Sequence, residues 1–222
     1  QSLRLFGYEG TITLVGDETA LPYQRPPLSK AYMKGEMAED RLYFKPAAWY
    51  EDNKVETLLS QRVQKIDRAA REVHLEHGGK LAYDALIIAT GSRPRALPVE
   101  GADLDNVFDL RGISDVEHIQ PKMIAGTRLV IVGAGYIGLE AAAVARQLGL
   151  DVTVLEMADR VLERVTSPVI SEFYQDLHRG HGVDIRLGAR LSKLKGEGGK
   201  VTHAVLADGE EIPADMVLAG IG

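Results

Sequence analysis

Gly133, Gly135 and Gly138 lie in the stretch Val-Ile-Val-Gly-Ala-Gly-Tyr-Ile-Gly-Leu-Glu, residues 130–140. The spacing is G-x-G-x-x-G, and its chemistry is the binding of a pyrophosphate by backbone rather than by side chains. Gly133 permits a tight turn, Gly135 lets a diphosphate approach the backbone, and Gly138 lets a following helix pack close to the preceding strand. Alone, the pattern is a common glycine-rich turn. Here an apolar strand reads over residues 128–132, an Ala-rich helix over 135–148 and a second strand over 151–156. Glu156 ends that second strand, 156 − 133 = 23 residues after the first glycine, near the roughly 20 expected of a ribose-binding acid. A carboxylate there accepts hydrogen bonds from a 2′-hydroxyl and repels a 2′-phosphate, which favours NAD(H) over NADP(H). Arg160 and Arg164 follow and pull the other way, since arginine accommodates the extra phosphate.

A second stretch with chemical content is Leu-Pro-Tyr-Gln-Arg-Pro-Pro-Leu-Ser-Lys, residues 21–30, where three prolines stiffen a loop that carries Arg25 and Lys30. A stiff loop that ends in two cations suits holding something in place, and a solvated surface loop is the plain alternative. The chain has no cysteine, so it contains neither a redox dithiol nor a thiolate metal site. That composition fits a reducing compartment, the cytoplasm. His178 and His181 resemble a metal pair, but no third ligand follows at a sensible spacing. No metal is expected, and both histidines are expected to lie exposed at a helix C-terminus.

These groups need a scaffold. A chain of 222 residues buries a sizeable core. Its net charge of −6 argues against a nucleic-acid partner, and no apolar run approaches a membrane span. No leader for export is apparent. Residues 12–16 read as a short buried strand followed by Asp17 and Glu18. The Pro-rich loop runs into a short helix within 23–35, ended by Gly35. Strands are expected at 55–58 and 63–66, and a hairpin over 72–77 and 80–83 turns at Gly78-Gly79. Residues 84–90 read as an apolar strand running into Gly91. Pro94 and Pro98 then mark a domain crossing. Beyond the glycine motif come a helix at 168–179 capped by Ser167, a strand at 183–187, a hairpin around Asp208-Gly209 and a last strand at 216–221. Strands alternating with helices predict an α/β fold with parallel central sheets and antiparallel hairpins.

Several stretches occur in one order that resembles a known family: Tyr-Gln-Arg-Pro-Pro-Leu-Ser-Lys, Leu-Ile-Ile-Ala-Thr-Gly (86–91), the glycine motif, Arg-Val-Leu-Glu-Arg-Val (160–165) and Ala-Gly-Ile-Gly at the end. The chain resembles the FAD-dependent ferredoxin reductases of oxygenase systems, within the pyridine nucleotide-disulphide oxidoreductase superfamily. Rubredoxin reductases and apoptosis-inducing factor share much of the pattern. The resemblance implies two Rossmann-like domains: a partial, discontinuous FAD-binding domain at 1–95 and an NAD-binding domain at 96–222. It also implies the interior of a longer flavoprotein, since a first glycine motif and a C-terminal part are missing.

The implied activity is electron transfer from NADH through FAD to a [2Fe-2S] ferredoxin that feeds a cytochrome P450 or ring-hydroxylating oxygenase. A rubredoxin acceptor, or a redox-sensing role like that of apoptosis-inducing factor, is the alternative. By the same resemblance Arg25 and Lys30 line the flavin, with Lys30 beside the isoalloxazine, where disulfide-reducing relatives carry a thiol pair. Glu140 lies near the nicotinamide; its plain alternative is a carboxylate that suits a helix N-terminus. Asp17 or Glu18 binds the FAD ribose, and the sequence leaves open which. Val63, Ala89, Thr90, Gly91 and Arg111 touch FAD, although Val63 and Ala89 also read as ordinary core. Tyr136, Ile137, Arg164, Gly220 and Ile221 complete the implied cofactor contacts.

Overall fold

The computed structural model describes residues 1–221. They form two compact units. The first joins Gln1–Gln24 to Glu39–Gly91, and the second joins Arg25–Ala38 to the chain from Ser92 onward.

In the first unit, α1 (Ser2–Leu5) precedes β1 (Ile12–Val15), which pairs in parallel with β2 (Val55–Leu58) in the register Ile12↔Val55 to Val15↔Leu58. The helix α2 (Ala47–Asp52) leads into β2. Arg4 joins the ends of these elements, donating to the carbonyls of Asn53 at 2.8 Å and Lys54 at 2.9 Å. A separate antiparallel sheet holds β3 (Val63–Asp67), β4 (Glu72–Leu75) and β5 (Lys80–Ala82), with Gly78 at φ +91° in the expected turn.

Residues 84–90 are not a strand. They have an irregular backbone, and Ile87 and Ile88 are 79% and 66% exposed. An apolar run becomes a strand only when a neighbour supplies ladder partners, and among the described residues none pairs with it. Val63 also departs from the core reading: Val63 to Ile66 of β3 are all exposed, Val63 itself 38%.

In the second unit the expected helix within 23–35 shrinks to a single 3₁₀ turn at Pro26–Ser29. Pro26 and Pro27 have no N–H to donate. The bonds that form are Leu28 N–H to the Arg25 carbonyl and Lys30 N–H to the Pro27 carbonyl, each at 3.0 Å. Irregular turns then run to Gly35, at φ +80°.

The rest is an α/β sandwich. Five parallel strands lie in the order β6 (Val107–Asp109), β13 (Met216–Ala219), β7 (Arg128–Val132), β8 (Asp151–Leu155), β9 (Asp184–Arg186). The helices are α3 (Ile113–Ile119), α4 (Tyr136–Gln147) and α5 (Pro168–Gly180). An antiparallel meander of β10 (Leu191–Glu197), β11 (Lys200–Leu206) and β12 (Glu211–Pro213) completes it. Val130, Val132, Leu155, Val217 and Leu206 share one core that reaches from sheet to meander. Ser167 occupies the N-cap of α5 as expected, yet its side chain makes no capping hydrogen bond.

From β7 the chain proceeds outward through β8 and β9, whereas β13 and β6 fill the other side. The strand order therefore reverses beside β7. A crevice opens at the carboxyl ends of parallel strands at such a point, and it is where α/β sheets bind ligands.

Candidate functional site

The glycine motif occupies that crevice, and its three glycines differ in what the fold demands of them. Gly133 has φ +105°, a conformation L side chains rarely adopt, and a Cβ on it would lie 2.8 Å from the Gly220 carbonyl oxygen. At Gly138 a Cβ would lie 2.1 Å from the Gly133 carbonyl oxygen, so α4 can pack this close only without one. Gly135 is different: its φ of −78° and ψ of −173° suit any residue. The nearest atom to a Cβ there is the Gly220 oxygen, 4.0 Å away. Nothing in the fold demands glycine at 135, so the space above it is open for a ligand.

Gly135 is also the N-cap of α4 and has no side chain to cap it. The first-turn N–H groups of the helix are left to bind an anion, assisted by the helix dipole. Tyr136 and Ile137, in that turn, are 58% and 41% exposed. Gly220 closes the other wall by donating its N–H to the Val132 carbonyl at 2.7 Å. The Ile221 side chain lies 3.1 Å from where a Gly133 Cβ would stand.

Glu156 follows β8 and faces the same loop. One carboxylate oxygen accepts the Ala134 N–H at 2.7 Å and the other accepts the Ala158 N–H at 2.9 Å. The acid thus fastens the glycine loop to the end of β8 while remaining half-buried at the crevice. The two arginines beyond it separate in role. Arg160 donates to the carbonyls of Thr166 at 2.8 Å and Glu163 at 2.7 Å and to the Ser171 hydroxyl at 2.7 Å, so it clamps its own loop. Arg164 is exposed.

Lys30 and Glu140, far apart in sequence, meet within the second unit: the ammonium nitrogen is 2.6 Å from Glu140 Oε2. The Ser29 hydroxyl donates to the same oxygen at 2.5 Å, and Lys30 also donates to the Pro26 carbonyl at 3.2 Å. Arg25 donates to the Arg111 carbonyl at 2.7 Å. The Arg111 N–H is in turn held by Asp115 at 2.7 Å, and Asp115 also accepts the Gly112 N–H at 2.8 Å. Burial and the nearby Asp115 push the Asp109 carboxyl, at the end of β6, above its ordinary value.

Sequence reasoning missed Ser29 and Asp115. A serine in a Pro-rich loop carries no signal of its own, and Asp115 opens a helix, α3, too short to show periodicity.

In the first unit Asp17 pairs with Arg62 at 2.9 Å, and Glu18 accepts a hydrogen bond from the Tyr23 hydroxyl. Both acids stand just beyond β1. Ala89, Thr90 and Gly91 are exposed, and Gly91 has φ +65°.

His178 corrects another expectation. It is buried, 8% exposed, because it faces inward from the last turn of α5, whereas His181 is exposed. It lines a groove of about 380 Å³ with Ala143, Arg146, Gln147 and Leu177.

The whole chain, residues 1–222, matches the family model described as pyridine nucleotide-disulphide oxidoreductase. It is 45% identical to putidaredoxin reductase of Pseudomonas putida, over 99% of this chain and 53% of that protein. It is 43% identical to rhodocoxin reductase of Rhodococcus erythropolis, over 100% of this chain and 52% of that protein. The solved ferredoxin reductase of the CYP199A2 system from Rhodopseudomonas palustris superposes with a TM-score of 0.95 at 43% identity, covering 100% of this chain and 55% of that one. The chain therefore spans about half the length of the relatives it matches.

Proposed function

The chain belongs to the pyridine nucleotide-disulphide oxidoreductase family, and from that premise we propose that it is part of an NADH-dependent flavoprotein reductase. The reductase passes electrons through FAD to a ferredoxin-type iron–sulfur protein that serves an oxygenase. The observation that carries the reading is the Lys30–Glu140 pair, in a segment that contains no cysteine at all. The loop where a thiol pair would take two electrons presents a cation instead, so the electrons are passed outward to a separate acceptor. The names of the relatives, rhodocoxin reductase and putidaredoxin reductase, support an acceptor of that kind.

In this reading residues 96–222 form the NAD-binding domain and residues 1–95 contribute to the FAD-binding domain. Backbone N–H groups at the start of α4 hold the NAD pyrophosphate, with Gly135 giving it access and Glu156 taking the ribose hydroxyls. Tyr136, Ile137, Gly220, Ile221 and Arg164 border the nucleotide. Arg25, Arg111, Val63, Ala89, Thr90, Gly91 and one of Asp17 and Glu18 bind FAD. When bound, the two cofactors supply hydride transfer from the nicotinamide to the flavin and single-electron transfer onward.

Lys30 contributes a positive charge held in place by Glu140, and Glu140 orients the nicotinamide end of NADH. The protein needs no acid–base triad for this chemistry. Its compartment in this reading is the cytoplasm, and no helix among the described residues is long and apolar enough to cross a membrane.

The magnitude expected of Lys30 follows from Coulomb's law. A unit charge about 4 Å away contributes on the order of 4 kcal/mol at an effective dielectric of 20, and with Glu140 opposing it about 1–2 kcal/mol survives. Lys30→Met in the full-length protein lowers the flavin potential and slows flavin bleaching by NADH about tenfold, at about 1.4 kcal/mol per decade. Stopped-flow absorbance and a potentiometric titration read both effects. An unchanged rate together with an unchanged potential removes Lys30 from the flavin.

A further inference from the structure

We propose that Ser29 is a positioning residue of the hydride-transfer site, fixing the Glu140 carboxylate and through it the Lys30 ammonium; the inference rests on the roles given to Lys30 and Glu140 above. Among the described residues the buried polar or charged side chains are Ser29, Ser171 and His178. The Ser171 hydroxyl is used locally, donating to the Val161 carbonyl ten residues away. That of Ser29 reaches 111 residues along the chain, to Glu140 Oε2 at 2.5 Å.

The three groups differ in how firmly each is held. The Lys30 and Glu140 side chains are 50% and 31% exposed, and each has several torsions that an open ion pair restrains weakly. Ser29 has one side-chain torsion and is 6% exposed, on the rigid Pro26–Ser29 turn. It is the member of the trio whose coordinates the fold fixes. Its hydroxyl donates to the same oxygen that the ammonium approaches, so two donors set the plane of one carboxylate. Oε1 is left without a hydrogen bond among the described residues and is available to a ligand.

Without Ser29, Glu140 rotates about its own torsions and Lys30 follows it toward solvent. Small displacements of this kind are costly in catalysis even when the fold is intact.

The test is a double-mutant cycle in the full-length, flavin-loaded protein, with Ser29→Ala, Glu140→Ala and the double variant. Ser29→Ala removes one buried oxygen, and flavin absorbance and circular dichroism verify the fold. The expected result is about a tenfold slower bleaching by NADH, about 1.4 kcal/mol, with the NADH dissociation constant changed by less than about twofold. In the Glu140→Ala background the same substitution produces no further slowing. The flavin midpoint potential, measured on the four proteins, shifts with Ser29→Ala in the parent and stays fixed in the Glu140→Ala background.

No slowing in the parent, or equal slowing in both backgrounds, overturns the proposal and leaves Ser29 as packing between the turn and α4. If Glu140→Ala alone leaves bleaching unchanged, the role given to Glu140 fails first, and the inference falls with it.

Discussion

The three glycines of the motif make a sharp prediction, because the fold tolerates a methyl group at one of them and refuses it at another. At Gly135 the backbone already has φ −78° and ψ −173°, and an added Cβ meets nothing nearer than 4.0 Å. Gly135→Ala gains about 0.4–1 kcal/mol by restricting the unfolded chain and loses a few tenths or more because alanine is a poor N-cap. The folded protein should therefore stay within about 1 kcal/mol of the parent in urea unfolding. Its methyl group, however, fills the space through which a pyrophosphate must approach, and NADH affinity should fall at least about tenfold, or about 1.4 kcal/mol.

Gly138→Ala reverses the pattern. Its Cβ would stand 2.1 Å from the Gly133 carbonyl oxygen, so either α4 or the turn must move, at about 1–3 kcal/mol of stability. Urea unfolding and fluorescence titration with NADH, run on both variants of the full-length protein, separate the two effects. Unchanged NADH binding in Gly135→Ala would refute the reasoning, because it would make the motif a structural turn and nothing more.

Glu156→Gln keeps the shape but leaves one carbonyl oxygen to serve the two N–H groups that Glu156 now holds. It should narrow the preference for NADH over NADPH by about tenfold while costing about 1 kcal/mol of stability; kcat/KM for each coenzyme and urea midpoints measure the two. Burial, aided by His181, holds His178 below its ordinary value of 6.5. The unfolded chain then takes up a proton that the folded protein refuses, so the stability contributed by neutral His178 is present above pH 6.5 and is lost as pH falls through the depressed folded value. Urea midpoints at pH 7.5 and 5.5 should differ less in His178→Gln than in the parent.

The second unit was legible where hydrophobic pattern and motif agreed. Residues 128–132, the helix after Gly135, and the strand ending at Glu156 emerged within a residue or two, because consecutive βαβ elements carry their signals locally. What failed was information held elsewhere in the chain. Residues 84–90 have the composition of a strand, but a strand exists only with a partner, and composition does not supply one. The short β6 and α3 were overlooked because three residues of strand and seven of helix give little periodicity. The β10–β11 hairpin turns at Gly198 and Gly199, at φ +58° and +83°; its strand β10, with Lys193, Lys195 and Glu197, is too polar to announce itself. At the site, Lys30 and Glu140 were each singled out, but that Ser29 ties them together depends on a contact across 111 residues that no local pattern encodes.

The most direct test of the central claim is an anaerobic absorbance titration of the full-length protein with NADH, followed by addition of a [2Fe-2S] ferredoxin. The expected result is a yellow protein, bleached by one equivalent of NADH and rapidly reoxidised as the ferredoxin is reduced. Rubredoxin serving in place of the ferredoxin would reassign the acceptor within the same chemistry. A colourless protein, or a reduced flavin that keeps a charge-transfer band and is reoxidised slowly by every acceptor offered, would contradict the claim that this chain belongs to an electron-transfer reductase.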